Sequence, residues 1–149
     1  MRRTPLRRGQ PLKRKTTVGR PQRTPRQKII TKLDNLVSKI IRERDGHCVV
    51  CGTTENLQCG HLFSRTHHAT RWDLRTDGNC HTQCGGCNML HEHDPAPYTL
   101  WYIHRFGLER YERLYSEHKT PAKWSTAELE LLYADIKRSQ APVPVRRSA

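Results

Sequence analysis

Cys48-Val49-Val50-Cys51 and Cys84-Gly85-Gly86-Cys87 are two C-x-x-C pairs, and between them stand Gly60-His61 and Asn79. Asn88 directly follows the last cysteine. Zn²⁺ takes four thiolates tetrahedrally, and a two-residue spacer lets one turn supply two of them. The pairs therefore predict a structural zinc centre with Cys48, Cys51, Cys84 and Cys87 as ligands. The separation from Cys51 to Cys84 is 33 residues, longer than the spacer of compact zinc ribbons. A β-hairpin leading into a helix fits that gap. Cys59 and Cys80 lie outside the pairs and are expected to be small buried hydrophobes.

Working outward, Ile29, Ile30, Leu33, Leu36, Val37, Ile40 and Ile41 recur at three- and four-residue spacing. That period predicts an amphipathic helix from about residue 27, stopping near Gly46. Leu57 to Phe63 reads as a short strand carrying His61, and Thr70 to Leu74 as a second extended piece before an Asp77-Gly78 turn. Asn88 to His93 is expected to open a helix. Tyr98 to Phe106 reads as an aromatic helix closed by Gly107, packing into the core rather than stacking bases. Leu108, Tyr111, Leu114 and Tyr115 continue as another amphipathic segment. Ser125-Thr126-Ala127-Glu128 is a capping box, with Trp124 placed to pack on Leu129, and Leu129, Leu132, Tyr133 and Ile136 form the buried stripe of a last helix.

The chain has 149 residues, a hydrophobic fraction of 34% and a mean hydropathy of −0.87, so its core is small and a metal would help complete it. No apolar run has membrane length and no signal-peptide pattern is present. The cysteines are accordingly expected to be reduced thiols of a cytoplasmic protein. The net charge of +13 is uneven: residues 1–28 hold 11 Lys/Arg and no acid. Residues 1–27 read as a disordered basic arm that binds polyanions through counterion release. Residues 28–139 read as the zinc domain with its flanking helices, and residues 140–149 as a tail.

The Gly60-His61 step, Asn79, and the run Cys84-Gly85-Gly86-Cys87-Asn88 resemble the HNH, or ββα-metal, nucleases that carry a four-cysteine zinc. Within them the chain is most similar to the NinG/Rap recombination nucleases of lambdoid phages. The matching residues are Ile41-Arg42-Glu43-Arg44-Asp45, Cys51-Gly52-Thr53, Gly60-His61, Arg71 before an aromatic, Asn79, Gln83-Cys84, Cys87-Asn88 and Tyr98. They span about residues 40–138. The resemblance implies roles for single residues. His61 matches the general base that takes a proton from the attacking water. Asn79 matches the residue that steadies the loop around that base. Asn88 matches a ligand of the catalytic Mg²⁺ or Mn²⁺. Many such enzymes carry Asp or His just before the base, where this chain has Gly60. The family's Gly-Asn after the second knuckle is replaced here by His93-Asp94, and His91 and His93 are expected as replacement ligands, with His91 on the same helical face as Asn88. Arg65, Arg71 and Arg75 flank the expected cleft as phosphate contacts, and His67-His68 reads as a polar loop.

The expected architecture is thus α+β: a small zinc-stapled ββα-metal domain among helices. The expected activity is metal-dependent hydrolysis of DNA phosphodiesters, in phage recombination or processing of branched DNA. A rival reading is a non-catalytic zinc module that holds nucleic acid through its arm. It needs the cysteines and the charge but not His61, Asn79 and Asn88 together.

Overall fold

A computed structural model describes residues 22–140. The order of elements is α1 (Pro25–Asp45), β1 (Leu57–His61), β2 (Cys80–Cys84), α2 (Gly85–Leu90), α3 (Ala96–Phe106), α4 (Leu108–Lys119) and α5 (Thr126–Ser139). The fold is α+β, with two strands and five helices among the described residues. The expected basic arm lies outside the described residues as far as residue 21, as does the tail from residue 141.

Helix α1 starts slightly earlier than its apolar period announces. Thr24 caps it, Pro25 occupies the first turn, and the Gln27 side chain returns a bond to the Thr24 backbone. It ends where Gly46 takes φ 69°, a left-handed conformation that glycine adopts without a side-chain penalty. Its buried residues are Ile29, Leu33, Val37 and Ile41. Helix α5 begins at the expected capping box, Ser125 with Glu128, and buries Leu129 and Ile136. Helices α1 and α5 pack together with Trp72 and Cys80, and Trp124 packs against the same cluster.

The hairpin is antiparallel, with His61 opposite Cys80 and Cys59 opposite Thr82. Side chains alternate between the faces of a strand. Cys59 and Cys80 join the α1 core. His81 turns the other way, among the rings of Tyr98, Trp101, Tyr102 and Phe106. There Leu62, Tyr98, Tyr102 and Leu114 make a second cluster that joins the hairpin to α3 and α4. The aromatic helix is core, as its period suggests.

Three elements differ from the sequence expectation. The second strand is Cys80–Cys84, not Thr70–Leu74, which is turn and irregular backbone. Strand β1 ends at His61 rather than Phe63. Helix α2 opens at Gly85 rather than Asn88, because the Cys84 sulfur accepts the Cys87 N–H and so acts as its cap. The segment 62–79 is held by polar bonds instead of a ladder. Arg44 of α1 donates to the carbonyls of Leu74, Arg75 and Cys80. Asp34 accepts from Arg71 and from the Trp72 indole.

Candidate metal centre and histidine cleft

The four knuckle sulfurs, of Cys48, Cys51, Cys84 and Cys87, all lie within 4.8 Å of one another. A tetrahedron with Zn–S bonds of about 2.3 Å has edges of about 3.8 Å, and the Cys51 and Cys84 sulfurs stand 3.7 Å apart. Burial opposes ionisation of Cys48, but the N–H groups of Cys51, Cys84 and Val50 outweigh it and bring its pKa down to about 6. Burial and the neighbouring sulfurs push the Cys87 thiol up. Four thiols this close cannot all ionise without a cation among them. The donor set therefore fits one Zn²⁺, held where α1 runs into the hairpin and α2 leaves it.

His61 ends β1 at the other end of the hairpin from Cys84, opposite Cys80. Its Nε2 is 3.0 Å from the carbonyl oxygen of Arg71. A carbonyl only accepts, so the neutral ring carries its proton on Nε2 and leaves the Nδ1 lone pair unprotonated. Nδ1 has no hydrogen-bond partner among the described residues and is not a buried orphan. Burial, aided by the charges of Arg65 and Arg71, lowers the His61 pKa from 6.5, while the Arg71 carbonyl and Asp34 oppose that shift. The ring is thus neutral near pH 7 and able to accept a proton.

Asn79 is fully buried. Its Oδ1 accepts the Phe63 N–H at 2.7 Å, and its Nδ2 donates to the carbonyls of Phe63 and Thr70. It closes the ends of the 62–79 loop on which the Arg71 carbonyl sits. Asn88 lines the same cleft as His61, together with Gln58, Cys59 and Arg65. Its Nδ2 donates to Gln58 Oε1 at 2.9 Å, which orients its Oδ1 away from that bond as a hard oxygen donor. His91 and Glu92 line the cleft's other end.

Several expected site residues are placed differently. His91 Nε2 meets the Leu62 carbonyl at 3.1 Å, and its Nδ1 is buried without a partner. Its Nε2 thus braces the residue that follows β1, while the ring borders the cleft beside Glu92. Arg71 is spent on Asp34 through two bonds of 2.9 and 2.7 Å. Arg75 is absent from the cleft lining and pairs with Asp73 and Glu117. Of the three arginines, Arg65 alone both lines the cleft and lacks a carboxylate partner among the described residues. His67 and His68 lie against the rings of His118 and Trp72.

Sequence reading missed the residues that hold the site. Asp34, Gln58 and the Arg71 carbonyl act through contacts with no sequence motif. Gly60 has a steric reason: a Cβ there would fall 2.0 Å from Gln83 Oε1, and Gln83 is fully buried. Glu92 offers a carboxylate at the cleft that the motif does not mark.

No helix among the described residues is long and apolar enough to cross a membrane. No solved structure matches the chain. It is 32% identical over 119 residues to protein ninG of Salmonella phage P22, covering 76% of this chain and 57% of that protein. It is 29% identical over 116 residues to protein ninG of Escherichia phage lambda, covering 76% and 56%. The chain thus spans a little over half the length of these curated relatives. Residues 4–141 match the family model described as Bacteriophage Lambda NinG protein. With that match running through both knuckles and the cleft between them, the chain belongs to the NinG family of bacteriophage proteins.

Proposed function

We propose that this protein is an HNH-type, metal-dependent DNA endonuclease acting in phage recombination or in processing of branched DNA. The ββα-metal unit of that reading is β1, β2 and α2. The observation that carries it is the pairing of an oriented, neutral His61 with the Asn88 amide oxygen in one cleft. Asn79 fixes the loop whose Arg71 carbonyl orients the base.

His61 Nδ1 takes the proton of a water attacking the scissile phosphorus. The Nε2–H bond to Arg71 holds the ring and helps stabilise the imidazolium that forms. Asn88, with Glu92 in reach of the same cleft, supplies oxygen donors suited to Mg²⁺ or Mn²⁺. A divalent ion held there would supply positive charge to stabilise the reacting phosphate. Arg65 contacts a neighbouring phosphate, and the 11 basic residues of the first 28 add sequence-independent affinity. The four-thiolate zinc stays outside the reaction.

The deciding experiment incubates the full chain with labelled linear, flap and four-way DNA in Mg²⁺, Mn²⁺ or EDTA. Cleavage with either metal and none in EDTA is expected. DNA binding without cleavage of any form would replace this reading by that of a zinc-stabilised nucleic-acid-binding module.

A further inference from the structure

The two cysteines outside the knuckles pack with the α1 core and also stand close to His61. Cys59 and His61 are two residues apart on β1 and share a face. The register sets Cys80 directly opposite His61 on that face. The ligating atoms of Cys59, His61 and Cys80 all lie within 4.8 Å of one another. Cys80 is fully buried, whereas Cys59 is half-buried and lines the cleft with His61 and Asn88. A passive core role accounts for Cys80. It does not account for a second thiol and an imidazole converging on it at the cleft wall.

We propose that Cys59, His61 and Cys80 form a second zinc site, separate from the knuckle, with its fourth position open to the cleft. Two thiolates and a neutral imidazole give Zn²⁺ a site of no net charge, which suits this depth. Three protein ligands with one open position is a common zinc arrangement. Ligand atoms around such an ion are about 3.5–3.8 Å apart, within reach of the observed cluster by small side-chain rotations. A disulfide fits less well. Cys59 faces Thr82 and Cys80 faces His61, so the cysteines are diagonal partners. Diagonal positions stand about 7–8 Å apart, beyond the roughly 4.4–6.8 Å between Cα atoms that a disulfide spans. An ion between the sulfurs bridges the longer gap.

The site has a consequence for His61. Zinc needs the imidazole deprotonated, and the lone pair it takes is lost to proton transfer. Zinc at this site is therefore an inhibitor of cleavage, a statement that rests on the reading of His61 as general base. The metal content does not rest on it.

The test equilibrates the reduced full chain with excess Zn²⁺ and counts metal per chain by mass spectrometry. Two ions are expected for the wild type and one for Cys59→Ala, whose affinity for the second ion should fall by more than the roughly 10–100-fold that outer-shell changes cost. A single ion in the wild type, or two in Cys59→Ala, overturns the site. If Cys59→Ala does not fold, thiol alkylation of the wild type decides. The second equivalent of zinc should slow labelling of Cys59 at least tenfold, and an unchanged rate overturns the site. Cleavage is assayed alongside. Excess zinc should inhibit the wild type and spare Cys59→Ala. Two bound ions in a protein that never cuts would sink the nuclease reading and leave the site standing. Cleavage by a protein that takes only one ion would do the reverse.

Discussion

Asp34 on α1 grips Arg71 through two hydrogen bonds, and the carbonyl of that same Arg71 holds His61 Nε2. A carboxylate 27 residues ahead of the histidine in the chain thus sets the position of the imidazole through the backbone of a loop. Asp34→Asn keeps the shape and removes the charge. It should lower kcat on the order of ten- to a hundredfold with little change in KM, since small misplacements of a reacting group are costly. Asp34 also raises the His61 pKa, so the acid limb of the pH profile should move to lower pH. A kcat loss with an unmoved acid limb would assign Asp34 to general stability only.

His61→Ala should reduce cleavage by about 10²–10⁴-fold while zinc content and DNA binding persist. In the wild type the acid limb should have its midpoint below 6.5, because burial lowers the His61 pKa and protonation removes the base. Asn88→Ala should shift the Mg²⁺ or Mn²⁺ dependence to higher concentration. Equal cleavage by His61→Ala would leave a nuclease with a different active site.

Cys48→Ser or Cys87→Ser should abolish cooperative melting. Structural zinc contributes about 10–16 kcal/mol in zinc-finger peptides, comparable to or above the roughly 5–15 kcal/mol net stability of a domain. Thermal melts with and without a strong chelator check this, and a cooperative transition after complete zinc removal would contradict it.

Gly60→Ala should cost about 1–3 kcal/mol through overpacking against Gln83. Urea denaturation should show a lower midpoint at unchanged slope. A neutral result would mean that Gln83 has room to turn aside.

His81 sits neutral in the aromatic cluster, with Nε2–H on the Thr76 carbonyl and Nδ1 accepting from the Tyr98 hydroxyl. Burial lowers its pKa from 6.5 to about 4. The unfolded chain therefore binds the extra proton between those values, and stability falls as pH drops through that window. The loss reaches about 3 kcal/mol once pH falls below the folded value. Melting temperatures at pH 7 and pH 4.5 should show it, and His81→Gln should flatten the dependence.

The helical frame was readable because α1 and α5 carry both an apolar period and caps. The knuckles were readable because C-x-x-C spacing is itself a geometric statement. Strand β2 was not, since Cys80, His81, Thr82 and Gln83 are all buried and show no polar–apolar alternation. Trp72 and Leu74 imitated a strand, but polar anchors from α1 hold their segment. His61 and Asn88 were singled out by a motif, and the structure brings them to one cleft. Their supports follow only from the register and from contacts across tens of residues.

The packing of α1 on α5 has a bearing on synthesis. Helix α1 ends at Asp45 and α5 begins only at Thr126, so the apolar stripe of α1 must wait for about eighty further residues before it is covered. The hairpin, the knuckles and the aromatic helices lie between the two and can assemble in that interval. A chain halted before Leu129 leaves the stripe of α1 half covered, and such an apolar surface is what chaperones and proteases recognise.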